Sequence, residues 1–215
     1  MKILHLLTGT ESTAVAITDD DRVCISINIE GGIRHSETIF NMMIDAFDYV
    51  DFSIDEIDKV SVLNGPGSFT GLRVGFAAAK AISFALNIPI ITVSTLDAIR
   101  SQYNLEDKKV LSMMDARRNR VYVKGYNLNS FLKEQVLNLD DLEHADDEII
   151  IVGENLTKYK EKFNLLGYKT LFDKDIFLNI DGLIKASLKA NSTDGDVKLN
   201  YLKPDEEVVC RKKEI

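Results

Sequence analysis

Three short apolar-rich stretches open the chain: Lys2 to Leu7, Thr13 to Thr18 and Arg22 to Ile29. They predict strands joined by Thr8-Gly9-Thr10 and by the Asp19-Asp20-Asp21 turn, hence an antiparallel meander. After Gly31-Gly32 the spacing turns helical. Ser36 is a candidate cap, Glu37 suits a first turn, and Ile39, Met43, Ala46, Phe47 and Val50 share one stripe from about His35 onward. Lys59 to Leu63 reads as a short buried strand, a glycine-rich turn follows, and Ala77, Ala78, Ala79, Ala81 and Ala85 mark a helix of strong formers. A strand around Ile88 to Val93 and a short helix from Ser94 to Ser101 complete a compact α/β unit.

The polar segment Asn104 to Lys109 is the natural boundary, because the strand pattern starts again with Val110 to Met114 and Arg120 to Tyr126. The predicted units are residues 1–104 and 105–215. The second continues through Gln135 to Leu139, a helical stretch near Leu142, the strand Ile149 to Val152, a turn at Gly153, a helix from Leu156 to Leu166 and a last one from about Ile180 to Ala190. The acidic run Glu143 to Glu148 predicts a solvated loop, and Val197 to Ile215 an extended, charged tail. The second half loosely echoes the first, without a sequence repeat.

The turn Asn64-Gly65-Pro66-Gly67-Ser68-Phe69-Thr70-Gly71-Leu72-Arg73-Val74-Gly75 is the most specific stretch. A glycine loop opening a helix can offer backbone N–H groups to an anion. A phosphate-binding P-loop, however, needs Lys then Ser or Thr after its last glycine, and here Leu72 and Arg73 follow Gly71. The other reading gives Gly65 and Gly67 positive φ around Pro66, with Ser68 or Thr70 capping the helix. Gly71, Gly75 and Ala79 recur every four residues, leaving one face without bulk. Each interior glycine costs about 0.5–1 kcal/mol relative to alanine, so close packing of another helix, within the chain or from a partner, is the expected compensation.

Composition narrows the functional classes. Of 215 residues, 26 are basic and 34 acidic, a net charge of −8, which argues against broad nucleic-acid binding by this chain alone. Arg117, Arg118 and Arg120, with Lys124, form a local exception that could meet a nucleotide or tRNA phosphate; a solvated strand edge is the other reading. Two cysteines, Cys24 and Cys210, without a CxxC pair or a leader, predict a reducing cytoplasm. No apolar run reads as long enough to cross a bilayer.

Gly65 through Gly75, together with His35-Ser36-Glu37, Asp115-Ala116-Arg117-Arg118 before Val121-Tyr122, and Tyr201-Leu202-Lys203, closely resembles the bacterial TsaB (YeaZ) family over most of the chain. The resemblance implies an actin/Hsp70-like (ASKHA) two-domain α/β fold with mixed sheets flanked by helices, once filed with glycoproteases. It implies a non-catalytic partner of TsaD in forming threonylcarbamoyladenosine next to the anticodon of tRNAs reading codons that begin with A. It also implies a homodimer alone, a TsaD heterodimer, TsaE as the ATPase of the system, tRNA reached only through the complex, and no membrane. No cofactor is expected on this chain alone, ATP serving the full system and the partner interface being a candidate nucleotide site. The interface implied consists of Ser36, Ile39, Met43, Phe47, Gly71, Arg73, Gly75 and Ala79. The family's first strand ends in Asp-Thr-Ser, whereas this chain has Leu7-Thr8-Gly9, without the acidic residue that helps hold metal-bound phosphate in ASKHA enzymes.

The residues themselves agree with an inactive subunit. Ile39 stands four residues after His35, where a metal-binding helix would place a second histidine, and His5 and His144 are isolated, so no metal site is expected. Neither a GxSxG elbow nor HExxH occurs. The alternative is an ASKHA-type ATPase or kinase-like enzyme with Asp115 as a metal ligand; a peptidase finds less support.

Overall fold

The computed structural model describes residues 1–31, 35–129, 131, 133–172, 177–190, 192–193 and 197–202, with backbone only at 35, 36, 192 and 193. Strands β1 (Lys2–Leu7), β2 (Ser12–Asp19) and β3 (Arg22–Glu30) form the expected meander. Helix α1 (His35–Asp48) leads to β4 (Lys59–Gly65), α2 (Phe69–Leu86), β5 (Ile90–Ser94) and α3 (Thr95–Ser101). β4 lies parallel to β1 and β5 parallel to β4.

The same order then recurs. β6 (Val110–Asp115), β7 (Arg120–Tyr126) and β8 (Gln135–Asn138) make a second meander, and β9 (Ile150–Glu154), α4 (Lys160–Leu165) and β10 (Lys169–Thr170) add parallel strands. With β11 (Ser192–Thr193), the sheets read β11-β5-β4-β1-β2-β3 and β10-β9-β6-β7-β8, so each carries its first meander strand next to a parallel crossover. The echo faint in the sequence is therefore a repeat of topology.

Between the sheets lie α3 and α5 (Ile180–Ser187). Ile3, Leu7, Ala14, Ala16 and Leu63 of the first sheet, Leu96, Ile99, Leu183 and Ile184 of the two helices, and Val110, Ile150 and Val152 of the second sheet form one core. The outer face of the first sheet is covered by α1 and α2, and that of the second by α4. Five layers result, each buried apolar face having a partner.

Several expectations change. The residues after 105 do not all belong to a second unit: β11 (Ser192–Thr193) pairs antiparallel with β5, α5 packs on β1, β4 and β5, and Val197 is buried beneath the first sheet's outer helices. Gly153 is not a turn but lies inside β9, where a Cβ would meet Met113 O at 2.2 Å. The helix near Leu142 is a 3-10 turn at Leu139–Asp141, and the one from Leu156 divides into a 3-10 turn, Thr157–Tyr159, and α4. The tail is outside the described residues beyond 202, Cys210 included, while Val197 is buried and Leu199 and Asn200 are half-buried.

One helix bears on the bilayer expectation. α2, with 18 residues and hydropathy 1.3, is long and apolar enough to cross a membrane by length and composition, and it is 33% buried. Its alanines and glycines allow it to lie flat on β4 and β1. The small stripe serves that contact: a Cβ at Gly75 would sit 2.2 Å from Thr8 Oγ1 and 3.4 Å from Val62 Cγ2, so the close neighbour is the sheet rather than another helix.

A close helix pair does exist, between α3 and α5. A Cβ at Gly182 would lie 2.5 Å from Ala98 O and 2.7 Å from Gln102 Cγ. Gly182→Ala is therefore expected to destabilise the protein by about 1–3 kcal/mol despite alanine's better helix propensity. Urea unfolding showing equal or higher stability would contradict the tight α3–α5 contact.

Candidate functional site

The carboxyl ends of the parallel strands of both sheets meet at one place, where ligands bind in many open α/β folds. In this chain that place is filled by its own groups. β4 ends at Gly65, whose φ of 116° and whose approach to Asn200 O, 2.5 Å from a would-be Cβ, both require glycine. The Gly65–Pro66 peptide is cis. Gly67, predicted to have positive φ, does not; its need is close approach, since a Cβ would lie 2.4 Å from Gly9 O.

Ser68 N–H donates to Gly9 O at 2.7 Å, and the Ser68 hydroxyl accepts from Gly71 N–H at 3.4 Å as the cap of α2. The Leu72 side chain is buried against Gly9. Ser68 N–H and Gly71 N–H are thus used within the protein, and the glycine loop forms a joint between α2 and the β1–β2 turn.

Glu154, at the end of β9, crosses from the second sheet to the first. Its Oε1 accepts from Glu11 N–H at 2.9 Å, and its Oε2 from Leu178 N–H at 3.2 Å, just before the Asn179 cap of α5. The side chain is buried, and burial pushes its carboxyl up to about 7 against the two N–H donors that favour the anion. A glutamate thus occupies the backbone donors that could otherwise receive an anion between the halves.

Asp115, the candidate metal ligand, is similarly occupied. Lys158 Nζ donates to its Oδ2 at 2.8 Å, and Tyr159 Oη and Arg117 N–H donate to Oδ1, each at 3.1 Å. The ion pair raises the Lys158 ammonium above its ordinary range. Arg117 and Arg118 are exposed at the β6–β7 turn, whereas Lys124 is directed inward to Asp97 at 2.6 Å and Glu134 at 3.6 Å. The basic cluster expected from the sequence therefore divides, and Lys158 joins its outer part.

The expected interface residues divide as well. Ile39 is 0% exposed and Met43 9%; Gly71, Gly75 and Ala79 are buried too. They hold α1 and α2 to the sheet, and Met43 also lines the groove beside α1. Phe47 is half-buried, Arg73 exposed, and the Ser36 side chain lies outside the described residues. The outward apolar groups are others: Phe40 is 50% exposed, Ile44 61% and Phe84 91%. Phe40, Ile44 and Phe47 line a groove of about 760 Å³ together with Val50, Phe52 and Ile54, edged by Asp48, Asp51 and Glu56. The sequence signal for this face was present as apolar residues off the main stripe.

Arg73 stacks 3.6 Å from the Phe69 ring centroid and donates from Nε to Tyr201 Oη at 3.0 Å. Asn200 N–H donates to Asn64 O at 2.7 Å and its Nδ2 to Glu134 Oε2 at 2.7 Å, so residues 200 and 201 strap the glycine loop to the second half. Glu154, Glu134 and Asn200 escaped the sequence reading, because partners remote in the sequence define their roles.

The architecture is that of the actin/Hsp70-like α/β class. A family model described as TsaD, tRNA N6-adenosine threonylcarbamoyltransferase, matches residues 28–198. The tRNA threonylcarbamoyladenosine biosynthesis protein TsaB of Bacillus subtilis is 27% identical over 179 residues, 79% of this chain and 78% of that protein. The Escherichia coli protein of the same name is 31% identical over 128 residues, 59% of this chain and 55% of its own length. A solved structure of YeaZ from Pseudomonas aeruginosa superimposes with TM-score 0.72 at 21% identity, covering 89% of this chain and 95% of that one. The chain belongs to the TsaB (YeaZ) family, within the wider group that the model describes.

Two buried groups set opposing pH dependences. His5 on β1 lies 2.7 Å from Ser61 Oγ and 3.0 Å from Thr18 Oγ1, and burial lowers its pKa to about 3. Unfolded, it takes up a proton below about 6.5, so the stability from neutral His5 is whole above that pH and lost on acidification toward 3. Glu154 keeps its proton to about 7 when folded but only to about 4.5 when unfolded, so its contribution is whole at low pH and lost as pH rises through that window. The stability gap between the parent and His5→Gln should narrow by about 1.4 kcal/mol per unit as pH falls below 6.5. For Glu154→Gln the gap should narrow as pH rises from 4.5 toward 7. Urea unfolding across pH reads both, and pH-independent gaps would contradict the assignment.

Proposed function

We propose that this chain serves the biosynthesis of threonylcarbamoyladenosine in tRNA as a catalytically inactive partner subunit of a TsaD-type threonylcarbamoyltransferase, in the cytoplasm. The names of its relatives, TsaB in both bacteria, support the pathway. The observation that carries the subunit role is the outward apolar face of α1 and α2, with Phe40, Ile44 and Phe84 in solvent on adjacent helices. Large exposed aromatic and aliphatic groups beside a groove are what a partner buries. Glu154 and Asp115, each held by the protein's own donors, favour a scaffold over a nucleotide-hydrolysing site.

In this reading the same face joins two copies when the chain is alone and is taken over by TsaD in a heterodimer. TsaE and its ATP belong to the assembled system, and tRNA is engaged in the complex. Nucleotide, if bound, sits at the partner interface rather than on this chain alone.

Size-exclusion chromatography with light scattering, on the chain alone and mixed with cognate TsaD, tests this. A concentration-dependent homodimer should convert to a heterodimer. Ile44→Asp or Phe84→Asp should weaken both by at least about tenfold, about 1.4 kcal/mol, because a charge would enter a desolvated contact. A monomer indifferent to TsaD would sink the proposal, and partner-free ATP turnover lost in Asp115→Asn would put the enzyme reading in its place.

A further inference from the structure

We propose that the tip of the β6–β7 hairpin is a contact site for the phosphate backbone of RNA, formed by Arg117, Arg118 and Arg120 with Lys158 beside them. The inference rests on the tRNA-linked reading above and adds which part of this chain touches the nucleic acid within the complex.

The charge distribution comes first. A chain of net charge −8 places three arginines within four positions at one turn, and the fold brings Lys158 to the same place from the far side of β9. Arg117 N–H and Lys158 Nζ share the Asp115 carboxylate, which fixes the hairpin base against the Thr157–Tyr159 turn. Both Asp115 oxygens are thereby used within the turn. Asp140, another nearby acid, is held by Lys162 at 2.6 Å.

The arginine side chains themselves are uncommitted. Arg117 and Arg118 are exposed and make no ion pair among the described residues. Arg120 is half-buried, and its Nε has no hydrogen-bond partner. Lys124, which a sequence reading groups with them, is excluded because Asp97 and Glu134 hold it inside.

The backbone accentuates this display. Arg117, Arg118 and Asn119 have φ of 63°, 53° and 59°, three successive left-handed residues, a conformation that costs non-glycine residues about 1–2 kcal/mol each. Asn119 tolerates it and is anchored by Asn138 at 3.3 Å, whereas Arg117 and Arg118 hold it with their side chains exposed. Such strain collects where function over-determines the conformation.

The exposed, projecting tip favours an extended polyanion over an enclosed small molecule. Guanidinium groups pair well with phosphate oxygens through paired N–H donors, and such contacts position a nucleic acid without reading its sequence. A patch of three or four cations supplies a local foothold rather than a binding surface sufficient alone. This reconciles a role near tRNA with the acidic character of the whole chain.

Fluorescence anisotropy with a labelled, unmodified tRNA transcript, titrated with the complex of this chain and TsaD at several salt concentrations, provides the test. Arg117→Glu/Arg118→Glu is expected to weaken binding by about tenfold and to lower the log–log salt slope by about 1–2. Arg117→Lys/Arg118→Lys should keep most of the affinity. Arg118→Ala, a milder change, should cost about threefold. Light scattering should show the variant complexes assembling as before.

Unchanged affinity and slope in an assembled charge-reversed complex would overturn the RNA contact while leaving the partner role intact. Failure of the unmodified chain to join TsaD would instead overturn the partner role, and titration of the chain alone, at higher concentration, would still read the hairpin. Displacement of RNA by a polyglutamate peptide as effectively as by unlabelled RNA would reassign the tip to acidic protein and also overturn the proposal.

Discussion

The fold depends on a layer only two helices wide that serves two sheets at once. α3 and α5 bury apolar faces against the first sheet and the second together, and they fit because Gly182 lets α5 approach the Ala98 carbonyl. Polar groups in this layer are tied off locally: Ser112 Oγ donates to Leu96 O at 2.8 Å, and Ile180 N–H donates to Asn28 Oδ1 at 3.1 Å. Each bond links a helix of the layer to a strand, so neither sheet can shift without breaking a polar pair, the Ser112 one fully buried, as well as apolar contact. Asp97 on α3 extends the tie outward through Lys124 and Tyr126, both at 2.6 Å.

Once the sheets are held this way, the ends of their parallel strands must confront each other, and the backbone donors there need acceptors. Glu154 supplies them from inside. Its carboxylate faces Glu11 N–H and Leu178 N–H, while the Glu11 side chain is exposed and opposes its ionisation only through charge. Burial dominates, so the group stands near the boundary between neutral acid and carboxylate at physiological pH. Protein donors are satisfied by a protein acceptor at the place where enzymes of this architecture have room for a ligand. Leu7 at the end of β1 has the same tendency: it lies in the core, where an acidic side chain would face inward without water.

Much of this was legible along the chain because local patterns carried it. Three strands, a helix, a strand, the glycine turn and a long helix follow from apolar runs and from a cap at Ser68 or Thr70, and these elements formed within a few residues of the predicted ends; Ser94, read as the first residue of the short helix, is its cap. The failures have one physical source, which is that a side chain's direction is set by what packs across from it. Ile39 and Met43 lie on the strongest stripe of α1, and the strongest stripe belongs to the core; the exposed Phe40 and Ile44 fall just beside it. Gly75 looked like room for a helix but accommodates Thr8 and Val62. Gly153 looked like a turn because nothing local reveals that Met113 O passes against it in the sheet. Lys124 and Arg118 had equal standing in the sequence, and only the positions of Asp97 and Glu134 separated them.

The strap formed by residues 197–202 gives these separate surfaces a mechanical connection. Val197 and Leu199 are packed with the core under α1 and α2, and Tyr201 stacks on Phe69 with ring centroids 5.2 Å apart at the start of α2. Between them Asn200 grips the glycine loop through Asn64 O and the second half through Glu134. Burial raises the Glu134 carboxyl, with Lys124 opposing that shift, so the grip is sensitive to how β7 is seated. A partner that covers α1 and α2 presses on helices whose loop end is bonded, through one asparagine, to Glu134 just ahead of β8. The specific glycine sequence is thereby explained from both sides: Gly67 admits the carbonyl of Gly9, Gly65 admits that of Asn200, and a side chain at either position would separate α2 from the first sheet's hairpin or from the strap that reaches the second.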